Sequence, residues 1–282
     1  DSSVEMLVFV FETSVDAFMP NEAIMCVSST LKIHDKSKIT GTAAANTRGR
    51  GMKSNGCSMV VEDTTFTNNF AHGNGAAILL VSESELELLS STFTSNTADG
   101  NGGGIMCDRC VKFKVDATEF FDNQAAKGGA LALTDLPALP ADNQIVSTKF
   151  DSNTAKKGGG GAIYWNSYLP DIDSNHKLDV DNFAVYGNFI ASAARYIRLN
   201  NTDFVLKTQN TLPFGPSLIV NDHYNKTVID LDFSREILNL RAFSPTGQSF
   251  GDVTSSVDEY GHASFSTFGL AAFPGYHLVV FE

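Results

Sequence analysis

Gly247-Gln-Ser249-Phe-Gly251 fits the Gly-x-Ser-x-Gly pattern of a hydrolase nucleophile, with Asp258 and then His262 or His277 downstream in acyl-transfer order. That chemistry needs a strand, a sharp turn and a helix, whereas Asp252-Val-Thr-Ser-Ser-Val257 is a poor helix former, so the segment reads as a hairpin loop. Cys107-Asp-Arg-Cys110 has redox-dithiol spacing, but a reactive thiol of that kind sits at a helix N-terminus and the flanks here read as strands. Cys26 and Cys57 lack metal-ligand spacing and there is no second Cys-x-x-Cys. Structural disulfides are therefore the favoured reading for Cys26, Cys57, Cys107 and Cys110, with free thiols and a zinc half-site as alternatives. The richest acidic stretch is Asp171-Ile-Asp173-Ser-Asn175 with Asp179-Val-Asp181. As a calcium loop it fails, with His176 where glycine belongs and Asn182 where the bidentate glutamate should sit. No catalytic residue, metal or cofactor is expected.

The bulk properties narrow the function classes. At 282 residues and 43% hydrophobic content the chain is long enough for two domains and a substantial core. Its net charge of -12, from 32 acidic and 20 basic residues, disfavours nucleic acid and anionic membrane, which both demand a basic patch. No apolar run has the roughly 18 to 20 residues of a membrane-spanning helix. The start at Asp1 and the strand-like finish at Phe281-Glu282 lead to the expectation of a segment of a longer secreted protein. Two sequons, Asn200-Asn-Thr and Asn225-Lys-Thr, are glycosylation candidates and agree with an oxidising compartment.

An internal repeat dominates the chain. Phe66-Thr-Asn-Asn69-Phe-Ala71, Phe93-Thr-Ser-Asn96-Thr-Ala98, Phe120-Phe-Asp-Asn123-Gln-Ala125 and Phe150-Asp-Ser-Asn153-Thr-Ala155 share Phe-x-x-Asn-x-Ala, each followed by a glycine cluster. The asparagines step by 27, 27 and 30 residues, and a weaker copy at Asn182-Phe-Ala184-Val-Tyr-Gly187 lacks the leading Phe. A period near 27 without helical periodicity signifies one solenoid coil per repeat. The segments between motifs, such as Ala76 to Val81, Leu86 to Leu89 and Val111 to Val115, read as short strands, three to a coil. Coils stacked at the strand spacing give a rod of roughly 25 Å for five copies. In that stack Phe66, Phe93, Phe120 and Phe150 form the core, Asn69, Asn96, Asn123, Asn153 and Asn182 an amide ladder, and the glycines a turn into the next strand.

Phe-x-x-Asn with Gly-Gly-Ala-Ile resembles the paired motif of the chlamydial polymorphic membrane proteins and of large protist and algal surface proteins. The resemblance covers about residues 65–192. It implies a right-handed parallel β-helix acting as an extracellular scaffold or adhesive stalk.

The ends depart from the repeat. Residues 1–60 read as an atypical N-terminal coil or cap, with Asn46 to Gly56, including Arg48 and Arg50, as a polar loop. The helix is expected over 61–210. Thr211-Leu-Pro-Phe-Gly-Pro216 is a linker signal, and the strand-and-turn pattern of 216–282 predicts a small antiparallel β-sandwich resembling immunoglobulin-like or carboxypeptidase-regulatory-like modules. An all-β, non-enzymatic structural or adhesive module at the cell surface is thus expected, whose partners are other domains or copies of an assembly, or a glycan or protein ligand. The rival is a carbohydrate-active β-helix, which needs two carboxylates and a Lys or Arg along one strand face.

Overall fold

The computed structural model describes residues 3–7, 10–12, 22–28, 30–34, 36–40, 50–137, 142–173, 179–200, 216–230, 239–246, 248–271 and 279–282. The chain divides into two compact units, Asp1–Ser192 and Ala193–Glu282. Among the described residues there is no α-helix.

The first unit is a parallel β-solenoid. Five coils have four described faces, one more than the sequence predicts, because the Asn-x-Ala step forms short strands of its own: Phe70–Ala71, Thr97–Ala98, Gln124–Ala125, Thr154–Gly159 and Phe183–Tyr186. This is the third face. The other three each hold seven described strands, the first from Ser3–Leu7 to Asp171–Ile172, the second from Val10–Glu12 to Asp179–Val180, and the fourth from Glu22–Val27 to Ile190–Ser192. Alternation explains the first face: Leu31, Ile33, Met59, Val61, Leu86, Leu88, Phe113 and Val115 are buried, while the residues between them point out.

The described strands of residues 1–60, expected as an atypical coil or cap, pair into this stack as coils. Ser3–Leu7 pairs with Thr30–His34, Val10–Glu12 with Lys38–Thr40, and Glu22–Val27 with Arg50–Asn55, all parallel. Arg50–Asn55 therefore corrects the expectation of a loop at Asn46 to Gly56: the segment is a strand held between Glu22–Val27 and Ile78–Val81. Pairing on both edges outweighs its polar composition. Arg48 lies outside the described residues, and Arg50 donates through its guanidinium to the carbonyls of Gly75 and Asn74 at 2.8 and 3.0 Å.

The repeated Phe fills the interior. Phe66, Phe93, Phe120 and Phe150 are fully buried and stack with centroids 4.6, 4.8 and 5.2 Å apart. Ile39 precedes them in register. The coil lacking a motif Phe supplies Phe189 from its glycine corner, edge-on to Phe150 at 5.8 Å. Each ring contributes about 1.5–3 kcal/mol by burial and each pair about 0.5–1.5 kcal/mol more.

The corners turn through left-handed backbone. Asp63, Ser90, Ala117 and Ser147 do so at one corner, and Asn68, Ser95, Asp122, Ser152 and Asp181 at the next. Only the corner entering the fourth face requires glycine. There Gly128 has φ +63° and Gly160 φ +75°, and a Cβ on either would strike the carbonyl three residues on, at Leu131 or Ile163. We expect Gly160→Ala to lower unfolding stability by about 2–3 kcal/mol, combining backbone strain with that overlap. Gly73→Ala, where no atom lies within 4 Å of the new methyl, should be near neutral in the same urea titrations.

The second unit is antiparallel. Tyr196–Leu199, Ser217–Asn221 and His262–Ser264 form one sheet, and Thr254–Ser256, Asn239–Phe243 and Val280–Phe281 a second. Leu218, Val220 and Ala263 from the first meet Leu240 and Ala242 from the second around Phe265 and Phe268. Tyr196–Leu199, placed in the helix by its sequence, thus lies in this unit.

Candidate functional site

The repeated asparagines are buried and joined along the axis. The Nδ2 of Asn69, Asn96, Asn123 and Asn153 donates to the Oδ1 of the Asn one coil on, at 2.8, 2.9, 2.9 and 3.0 Å. The backbone N–H of the same residues donates to that oxygen at 2.9 to 3.1 Å. The second Nδ2 proton reaches back to the carbonyl of the preceding coil: Asn96 to Phe66 at 3.1 Å, Asn123 to Phe93 at 3.0 Å, Asn153 to Phe120 at 3.0 Å and Asn182 to Phe150 at 3.1 Å. Asn96, Asn123 and Asn153 so each tie three coils, as does Asn69, whose Nδ2 also donates to the Ile39 carbonyl at 3.3 Å.

A second ladder escaped the sequence reading. Ser37, Thr64, Ser91, Thr118 and Thr148 are buried at the corner between the first two faces. Four of their hydroxyls donate two residues back, to the carbonyls of Glu62, Leu89, Asp116 and Val146 at 2.8 to 2.9 Å. The oxygens of Ser91 and Thr118 accept the N–H of Thr64 and Ser91. The signal was a Ser or Thr two places before every motif Phe, hidden because the two residue types interchange.

The cysteines form two disulfides, Cys26 with Cys57 and Cys107 with Cys110, with Cα atoms 6.2 and 5.8 Å apart and no free thiol left. Cys107 stands in register between Leu80 and Leu133, facing the core, and both it and Cys110 are buried. The bridge Cys26–Cys57 links neighbouring coils where, one coil on, Ser54 donates to Ser84 Oγ at 2.9 Å.

The remaining chemistry-bearing residues do not converge. Ser249 lies in Gln248–Phe250, paired antiparallel with Gly269–Ala271, and its Oγ accepts the Ser244 N–H at 3.0 Å. Asp258 Oδ1 accepts the N–H groups of Tyr260 and His262 at 3.0 and 2.8 Å, which organises a turn. Gly247 and His277 lie outside the described residues. Asp252, fully exposed, has its carboxyl held below the usual range by hydrogen bonds from Thr267 and Ser266. Asp171 and Asp173 end the first face, with Asp173 accepting the Ser147 N–H at 3.2 Å, whereas Asp181 turns a corner elsewhere. His176 lies outside the described residues. Among the described residues no group of three His, Cys, Asp or Glu is placed to hold a metal.

Asn200 follows the Tyr196–Leu199 strand, and its N–H donates to Ser217 at 2.8 Å. Asn225 sits in an exposed turn at φ +59°, and its Oδ1 accepts from Asn221 Nδ2 at 2.7 Å, which leaves its own Nδ2 directed away.

What the interior leaves for recognition is the outside. On the first face, Glu85 and Glu87 project from one strand, and Lys112 and Lys114 lie in register with them on the next. Ser58 donates to Glu85 Oε2 at 3.0 Å, and Lys112 Nζ is 3.3 Å from Glu87 Oε2. All four charged side chains are half exposed on a sheet surface. Two carboxylates two residues apart, about 6.7 Å along a strand, beside two cations can hold a charged or hydroxylated ligand.

A right-handed β-helix family model matches residues 21–189, which is 169 of the 282. The chain belongs to the right-handed β-helix family. Within this β-helix the matched segment holds the Phe stack, both polar ladders, both disulfides and the charged first face. Neither a curated protein nor a solved structure matches the chain. No described helix is long and apolar enough to cross a membrane.

Proposed function

We propose that this chain is a non-catalytic, extracellular structural or adhesive module of a larger cell-surface or appendage protein. Its outer faces would meet other domains or copies of the assembly, or a glycan or protein ligand. The observation that carries this reading is where the repeated polar groups lie. The asparagine and hydroxyl ladders are buried and hydrogen-bonded between coils, so the most regular chemistry of the sequence maintains the stack. Support also comes from the two disulfides, which persist in oxidising compartments, and from the resemblance of Phe-x-x-Asn with Gly-Gly-Ala-Ile to the polymorphic membrane proteins and protist surface proteins. Asn225, with its amide nitrogen presented on an exposed turn, is the better placed glycan acceptor.

Intact mass of the native protein, before and after reduction, tests this. Two disulfides and a glycan released from Asn225 are the expected result; four free thiols on an unglycosylated chain would remove the extracellular reading.

One observation favours a second reading. Glu85, Glu87 and Lys112 supply the two carboxylates and cation that a carbohydrate-active β-helix needs on one face. A module without catalysis leaves acidic and neutral polysaccharides uncleaved. Cleavage by the native chain that is lost in Glu87→Gln, with folding intact, would establish the enzyme instead.

A further inference from the structure

The outward residues of the first face obey a symmetry that only the register reveals. Glu5 opens its middle row in register with Lys32, and the six residues after it run Lys32, Val60, Glu87, Lys114, Gln144, Asp171, each in register with the next. In sign these six are positive, neutral, negative, positive, neutral, negative. Reversing the order of these six and inverting every sign returns the same six, with Glu5 beyond them at the edge of the face. One flanking row places Glu85 against Lys112 across the same midpoint, and the other runs Glu62, Leu89, Asp116, Val146.

A surface with this property is complementary to itself. A two-fold axis parallel to the strands, midway between Glu85–Leu89 and Lys112–Asp116, lays each row over its own reverse in a second copy. Glu87 then faces Lys114, Lys32 faces Asp171, Glu85 faces Lys112, and Val60 faces Gln144. In the other flank Leu89 faces Asp116 and Glu62 faces Val146, so no like charges meet. We propose that the outer face of this sheet is an isologous interface, occupied by the same face of a second copy of the chain. Three kinds of ion pair are each made twice, as two-fold symmetry demands. Packed sheets stand about 10 Å apart, which two layers of Lys and Glu side chains fill.

Two further observations favour this occupant. Lys32, Lys114 and Asp171 have no ion pair of their own among the described residues, so their charges are available. A chain of net charge -12 repels its copies, and a face that alternates in sign removes that repulsion where they touch. The inference goes beyond the surface-module reading and stands whether or not that reading holds.

Sedimentation velocity of the full chain at low ionic strength tests it, using wild type, Glu85→Lys/Glu87→Lys and Lys112→Glu/Lys114→Glu. Wild type should dimerise reversibly. Each double variant alone sets like charges opposite one another and should weaken self-association at least about tenfold. An equimolar mixture of the two variants puts four lysines opposite four glutamates and should restore dimers, which also proves that both variants are folded. Three results would overturn the proposal: wild type that stays monomeric at all concentrations, self-association unchanged in both variants, or a mixture that fails to dimerise. Monomeric wild type retained by a sulfated polysaccharide through Lys112 and Lys114 would assign the face to a glycan instead.

Discussion

Phe120→Ala should destabilise the β-helix by about 3–5 kcal/mol, measured by urea unfolding followed through the far-ultraviolet β signal. Phe120 is fully buried and stacks on both sides, against Phe93 at 4.8 Å and Phe150 at 5.2 Å. Its ring also packs where Gly104 has no Cβ, since a methyl there would come within 3.1 Å of it. Truncation removes the transfer energy of the ring, both stacking contacts and the support of that glycine turn. The hole cannot close readily, because coil spacing is fixed by the parallel hydrogen bonds of the flanking strands. Phe120→Leu, which keeps most of the volume, should cost less than half as much. Coils contact only their neighbours, so the loss should appear first as faster amide exchange in coils on either side of residue 120. An equal rise throughout residues 50–137 would mean that the solenoid unfolds as one cooperative unit.

Such positions were legible in the sequence because a solenoid repeats an environment, and an environment that admits one residue type prints it at each period. A ring-sized slot gives Phe66, Phe93, Phe120 and Phe150, and a site needing two donors and one acceptor gives the asparagines. Slots that accept alternatives leave no such print. A hydroxyl ladder works with Ser91 as well as Thr118, and left-handed corners hold Asp63, Ser90 and Ala117 alike. Arg50–Asn55 was unreadable for another reason, since its strand character comes from neighbours on both edges. The charged face shows least of all in one dimension. Glu87, Lys114, Gln144 and Asp171 are 27, 30 and 27 residues apart, and their sign pattern emerges only when the pairing puts them in line.

The disulfides and the polar ladders also differ in what they stabilise. Cys26–Cys57 joins two coils at one place, and Cys107–Cys110 closes one corner within a coil. The ladders run across many coils, so stability along the axis depends on polar groups inside an apolar rod. A buried amide or hydroxyl is tolerated there only while both neighbouring coils supply its partners. The sequence therefore keeps asparagine at 96, 123 and 153 although a leucine would bury more apolar area.

Asn123→Ala should accordingly cost about 3–5 kcal/mol, out of proportion to the few atoms removed. Asn123 Oδ1 accepts both the backbone N–H and the Nδ2 of Asn96, while its Nδ2 serves Phe93 O and Asn153 Oδ1. Alanine leaves these groups buried with fewer partners, and each unmet group costs about 1–3 kcal/mol. Asn123→Asp separates geometry from hydrogen bonding. The carboxylate keeps an oxygen toward Asn96 but turns an acceptor toward two acceptors, Phe93 O and Asn153 Oδ1. Burial and those oxygens favour the protonated acid, so its folded pKa is raised above the unfolded value of about 3.9. The sign follows: protonation restores one donor, and relative to Asn123→Ala the aspartate variant gains stability as pH falls and loses it as pH rises through the folded pKa. Urea midpoints of the two variants between pH 4 and 8, referenced to wild type at each pH, measure that difference. Parallel curves would show that the carboxyl introduced at 123 has the same pKa folded and unfolded, against a buried site that demands a donor.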